Sequence, residues 1–178
     1  YGKGFHFEGM NYPWGEHISF TDNQPLLAWP LAQLQSVFHF SVIDLLLIMN
    51  MLIVVSLIAT SYLLFRFFIR LGVQPWMGAI FGLLITFLAP NFYRIFGHYG
   101  LCYSFNIVLT FSFLFSFQQS GRKRYLFYLF ILCFLMAFVH MYNLLLSMVI
   151  IFFYVVAAFL IEKKSLREKA ISAMWLVT

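Results

Sequence analysis

Apolar residues in this chain fall into four long runs separated by short polar breaks. The first run covers about residues 42–65 and is followed by Arg66 and Arg70, a length that matches the roughly 20 residues a helix needs to cross the hydrocarbon core of a bilayer. Gly72 and Pro75 break it, and a shorter run over about 76–89 stops at Pro90 and leads into a polar loop over 91–100. A third run, about 101–117, ends at Gln118, Gln119 and the cluster Arg122, Lys123, Arg124. From 125 to 161 the sequence is nearly continuously apolar, interrupted only by His140, Tyr142 and Asn143, so it predicts either one very long helix or a tight hairpin.

Charge resolves that choice. Arg122, Lys123 and Arg124 can share a membrane side with Lys163, Lys164, Arg167 and Lys169 only if two spans lie between the clusters. The chain therefore reverses at 140–143, giving spans over about 125–140 and 144–161 and the start of another at 170. This topology puts nine of the eleven Lys and Arg residues inside, leaving Lys3 and Arg94 outside, as the positive-inside rule requires. All five histidines, His6, His17, His39, His98 and His140, fall at the other edge. Gly78 and Gly82 form a GxxxG pair that permits close helix packing in the second span.

Residues 1–40 have a different character. Pro13, Pro25 and Pro30 with Gly2, Gly4, Gly9 and Gly15 are loop chemistry, after which Leu31, Leu34 and Phe38 recur at helical spacing. Asp22 and Asn23 suit helix caps and Pro25 a first helical turn. The pattern predicts a short interfacial helix at the end of a large extracytoplasmic loop. The expected fold is all-α: a polytopic transmembrane helical bundle over 41–178, preceded by this loop. An opening at Tyr1 within a polar loop, and an ending at Thr178 just as an apolar run begins, read as an excerpt of a longer chain.

Composition narrows the class further. Hydrophobic residues make up 63% and charged residues 10%, against about a quarter charged in soluble domains, so the chain belongs in lipid. The net charge of +5 sits in short juxtamembrane groups rather than a basic stripe, which excludes nucleic acid as a partner. Cys102 and Cys133 lie in separate apolar runs without metal or disulfide spacing and read as small buried hydrophobes.

The candidate chemistry lies at the histidine-bearing edge. Residues 5–25 pack Glu8, Glu16 and Asp22 with His6 and His17 among five aromatic rings, including Tyr12 and Trp14. Carboxylates supply general bases or metal ligands, and rings stack on sugars. Asp22 suits two roles, helix cap and base facing the membrane surface, and Glu16 beside His17 is an equal candidate acid. Glu8 follows His6 at H-x-E spacing. Arg94 carries the planar fork that grips phosphate oxygens, and with His98 it can clamp a phosphate; the plainer alternatives are a headgroup-snorkelling arginine and a helix-capping histidine. Asp44, one turn inside the first span, is costly there and faces protein or water, where it can bind a substrate hydroxyl or a partner helix. Asn50 reads as an interhelical hydrogen bond, and His140 as an interface anchor or substrate contact.

Three pieces, Asn11-Tyr12-Pro13-Trp14-Gly15-Glu16-His17 followed by Asp22-Asn23-Gln24-Pro25-Leu26-Leu27, then Gly97-His98, then His140-Met141-Tyr142, resemble the polytopic glycosyltransferases of the GT-C superfamily, especially its bacterial envelope members. The resemblance implies a transferase of the cytoplasmic membrane with an extracytoplasmic site. It would move a sugar from a polyprenyl-phosphate donor to an acceptor, and it implies a further acid upstream of Tyr1. Asp22, Glu16 or Glu8 would act as catalytic acid or base. Arg94, His98, His17, Tyr12, Trp14, Asp44 and His140 would bind substrate. A divalent cation, Mg or Mn, is admitted but not demanded. The alternative is a non-catalytic membrane subunit, a flippase component or a scaffold in an envelope complex, with other membrane proteins as partners.

Overall fold

The structure is a computed structural model that describes residues 6–7, 16–17, 24–96 and 98–161. Strands β1 (His6–Phe7) and β2 (Glu16–His17) pair antiparallel, with His6 opposite His17 and Phe7 opposite Glu16. The other regular elements are helical: α1 (Pro25–Phe38), α2 (Val42–Arg70), α3 (Pro75–Leu88), α4 (Pro90–Tyr93), 3-10 turns at Arg94–Phe96 and Tyr99–Leu101, α5 (Phe105–Ser120), α6 (Arg124–Val139) and α7 (Met141–Ile161). Among the described residues three helical stretches are long and apolar enough to cross a membrane: Val42–Arg70, Tyr99–Ser120 and Met141–Ile161. Pro75–Leu88 and Arg124–Val139 are apolar but shorter. The chain is a helical membrane protein, and α2 turns Leu46, Leu47, Val54, Val55 and Ile58 outward, as a lipid-facing helix does.

Helix boundaries follow local chemistry. Ser41 and Asp44 form a reciprocal capping box at the start of α2, the serine hydroxyl accepting from the Asp44 N–H at 3.2 Å and the carboxylate from the Ser41 N–H at 2.9 Å. Proline stands at the first position of α1, α3 and α4, where its missing N–H costs nothing. Gly121, at φ +65°, ends α5 in the left-handed region, its N–H bonded to the Phe117 carbonyl at 2.7 Å.

The structure departs from the sequence expectation at three boundaries. The helix expected to stop at 65 continues through Arg66 and Arg70, because arginine is a good helix former whose long stem carries its charge clear of the apolar run. The start of the third run is not α-helical: residues 99–101 form a 3-10 turn, and α5 begins at Phe105. The reversal expected over 140–143 takes one residue. His140 is extended (φ −164°, ψ 131°) and its ring Nδ1 accepts from the Tyr142 N–H at 3.2 Å, so α7 is capped at once.

Neighbouring helices alternate in direction. Ser61 of α2 meets Thr86 near the end of α3, while Phe68 meets Phe81 nearer its start. α5 runs parallel to α2, with Ser56 against Cys102 and Phe67 against Phe115. Leu114 packs on Leu129 and Tyr103 on Met136, which makes α6 antiparallel to α5. α7 runs parallel to α5, Asn143 lying beside Asn106 and Ser147 beside Thr110. One end of the bundle therefore holds Gln24, Asp44, Arg94, His98 and His140. The other holds Arg66, Arg70, Arg122, Lys123 and Arg124.

Candidate functional site

At the end away from the basic residues, residues 98–104 lead into α5 and bond to three other elements. The Ser56 hydroxyl of α2 approaches the Cys102 carbonyl at 3.5 Å. Asn143, near the start of α7, donates from Nδ2 to the Gly100 carbonyl at 2.8 Å. The Tyr103 hydroxyl donates to Oε1 of Gln24, just before α1, at 2.9 Å. Cys102, Tyr103 and Ser104 are buried. Its inner part is thus irregular backbone buried in protein, one of the two settings in which such backbone is tolerated within a membrane, the other being a water-filled cavity.

Gln24 is an unusual residue to find there. It is buried, it sits at φ +46°, and it precedes a proline, which disfavours helical backbone in the preceding residue. A left-handed conformation costs a non-glycine residue about 1–2 kcal/mol. The bond to Tyr103 and the packing of Leu26 and Leu27 against Tyr103, Met136 and Val139 hold it in place. Asp22 and Asn23 were expected to cap α1; the cap position is Gln24, with no side-chain capping bond. Asp22 itself lies outside the described residues.

Beneath this segment runs a buried ladder between α5 and α7. Asn106 donates from Nδ2 to the Asn143 carbonyl at 3.2 Å, and the Ser147 hydroxyl lies 3.3 Å from Asn106 Oδ1. Thr110 donates to the Asn106 carbonyl at 2.9 Å and lies 3.2 Å from Ser147 Oγ. Asn106, Thr110 and Ser147 are wholly buried. Among the described residues no buried side-chain nitrogen or oxygen lacks a partner, so hydrogen bonds offset the cost of burying the ladder's polar groups.

The candidate residues distribute as follows. Arg94 and His98 are exposed and lie in one turn, the His98 N–H bonding to the Arg94 carbonyl at 2.8 Å. His98 precedes the 3-10 turn without a side-chain capping bond. His140 is buried, caps α7 and stacks on Tyr142 at 5.4 Å. Through Gly100 and Asn143, the turn carrying His98 is fastened to the helix start that His140 caps. Asp44 is exposed, and its carboxylate serves the capping box. Asn50 is exposed on α2. Glu16 and His17 lie in β2. Glu8, Tyr12 and Trp14 lie outside the described residues. Among the described residues no three His, Cys, Asp or Glu side chains converge as a metal site would need.

A family model described as "Domain of unknown function (DUF6311)" matches residues 4–178. The chain belongs to the DUF6311 family. No curated protein and no solved structure matches it. In this DUF6311 chain Gln24, Tyr103 and the Asn106 ladder were not singled out by the sequence reading. A signal for the ladder was present: Asn106 with Thr110 and Asn143 with Ser147 repeat an amide and a hydroxyl four residues apart inside apolar runs, one helical turn on one face.

Proposed function

We propose that this chain forms part of a membrane glycosyltransferase that moves a sugar from a polyprenyl-phosphate donor to an acceptor on the extracytoplasmic side of the cytoplasmic membrane. The observation that carries the reading is the segregation of the two ends. Arg94, His98 and His140 gather with α1 at one end, and the basic residues of α2 and the α5–α6 turn gather at the other. By the positive-inside rule the second end is cytoplasmic, and the five apolar helices are then five passes. α1, which turns Trp29, Val37 and Phe38 outward, lies along the outer surface as an interfacial helix.

In this scheme Asp22, Glu16 or Glu8 deprotonates the acceptor hydroxyl, which attacks the anomeric carbon, and the lipid phosphate departs. Arg94 and His98 stabilise the charge growing on that phosphate. Tyr12 and Trp14 border the sugar, with His17, Asp44 and His140 as further contacts. A divalent cation, where used, would be held by the acids of the same loop.

The full-length protein in detergent with a polyprenyl-phosphate sugar provides the test. Replacing the working acid (Asp22→Asn, Glu16→Gln or Glu8→Gln) lowers turnover by about a hundredfold or more, the usual share of general base catalysis. Arg94→Ala lowers it as well. Turnover that survives all four substitutions, with the protein intact, overturns the reading. The rival, a non-catalytic membrane subunit, draws support from Asp44 and His140, whose side chains serve as helix caps. It predicts assembly with partners that survives all four substitutions and no transfer by the purified protein.

A further inference from the structure

Three arginines at the basic end of the bundle come together from α2 and from the α5–α6 turn. Arg70, in the last turn of α2, donates from Nη1 to the Ser116 hydroxyl of α5 at 3.2 Å. Arg124, at the start of α6, donates from Nη2 to the Tyr125 hydroxyl at 3.2 Å, and its guanidinium stands 5.0 Å from the centre of that ring. Arg122 and Arg70 both lie close enough to the same hydroxyl to act on it electrostatically. All three arginines are exposed, and among the described residues none has an acidic partner; Asp44 serves the capping box at the opposite end. α6 begins beside them with no acid in its first turn and no side-chain cap, so its positive end adds to the field.

We infer that Arg70, Arg122 and Arg124 together bind one phosphate group, carried by a lipid headgroup or free in solution. Like charges gathered around one hydroxyl repel each other, and a shared anion relieves that repulsion. A guanidinium presents five N–H donors, and Arg70 and Arg124 each have one in use, so their forks stay open to phosphate oxygens. The bonds to Ser116 and Tyr125 also hold those two side chains in place, which lowers the cost of ordering them on binding. A topology signal needs positive charge on one side of the membrane, and it gives no reason for three such charges to converge on one tyrosine. This site lies at the opposite end from Arg94 and His98 and does not depend on the transfer reading.

Native mass spectrometry of the full chain in detergent tests the inference, with dioleoyl phosphatidic acid, dioleoyl phosphatidylcholine and inorganic phosphate as probes. One phosphatidic acid should be retained about tenfold more tightly than phosphatidylcholine, whose choline cation offsets its phosphate. Arg70→Gln, Arg122→Gln and Arg124→Gln should each weaken that retention about fivefold. Arg66→Gln removes the same charge from α2, but its guanidinium is tied to Tyr62 on its own helix, so retention should stand. Ser116→Ala and Tyr125→Phe change no charge, and by releasing Arg70 and Arg124 each should weaken retention about threefold. Displacement of the lipid by millimolar inorganic phosphate would assign the site to free phosphate, and persistence of the lipid would assign it to the headgroup. Equal retention of the two lipids, or an equal loss in Arg66→Gln and Arg70→Gln, would overturn the assignment, because either is what diffuse surface charge produces.

Discussion

Alanine at the two glycines of α3 has opposite expected effects, and the difference measures how closely α2 and α3 approach. A Cβ built on Gly82 would lie 2.9 Å from the Ser61 carbonyl oxygen and 3.3 Å from the Phe65 nitrogen, both main-chain atoms of α2. Main chain cannot swing aside, so Gly82→Ala must push the helices apart, and overpacking of this kind costs about 1–3 kcal/mol. A Cβ on Gly78 would meet only side chains, at 3.5–3.7 Å, which is ordinary contact. Alanine is the better helix former by about 0.8–1.0 kcal/mol, so Gly78→Ala should be neutral or stabilising by up to that amount. The same gain partly offsets the clash at Gly82, leaving that variant destabilised by up to about 2 kcal/mol. Reversible unfolding in mixed micelles, followed by circular dichroism, should therefore separate the variants by about 1–3 kcal/mol with Gly82→Ala the weaker. If Gly82→Ala unfolds together with or after Gly78→Ala, the close approach of α2 and α3 is wrong.

Asn106→Leu removes two hydrogen bonds of the buried ladder and should cost about 1 kcal/mol in the same assay, at the roughly 0.6 kcal/mol typical of interhelical polar contacts in membranes; an unchanged or raised midpoint would contradict the ladder. Tyr103→Phe deletes the hydroxyl that holds Gln24 and should cost about 1 kcal/mol. Its effect should appear as faster amide exchange at the start of α1 while α5 keeps its protection, and unchanged exchange there would refute the anchoring role. Cysteines placed at His98 and Ser120 should react with a membrane-impermeant maleimide from opposite sides of sealed vesicles, and labelling of both from one side would end the proposed topology.

Long apolar runs and strong charge asymmetry made the helical character legible in the sequence. Runs of apolar residues bounded by Pro75 and Pro90 place helices because proline acts on its own backbone. The Gly78 and Gly82 pair signalled close helix packing, since absence of a side chain is a local property, and the structure shows that packing at Gly82 against α2. What escaped was everything that depends on partners distant in sequence. Gln24 is buried because Tyr103, seventy-nine positions away, accepts its company, and no local rule marks a glutamine before a proline as a left-handed, buried residue. His140 looked like an interfacial aromatic; only the one-residue break between α6 and α7 turns its ring into a cap. Residues 101–104 looked like the start of a span, and the anchors that hold them irregular, Ser56 and Asn143, lie on other helices.

The shortness of α3 connects the fold to the proposed site. Fourteen residues rise about 21 Å and the 29 of α2 about 43 Å, against a hydrocarbon core of roughly 30 Å. On the five-pass reading α3 therefore runs out before the outer surface, and the chain from Pro90 to Leu101 must turn below the level that a full span would reach. Irregular backbone at that depth persists only against protein or a water-filled space. The bonds from Ser56, Asn143 and Tyr103 supply the protein side, and Arg94 and His98 are among the exposed residues of the same segment. On the proposed reading the short helix sets a cation and an imidazole at the rim where the phosphate of a lipid-linked sugar would arrive. A α3 lengthened by one turn with leucines ahead of Pro90 should lift that rim and abolish transfer while keeping the bundle's unfolding midpoint. Full activity in such a variant would show that the depth of the turn is incidental.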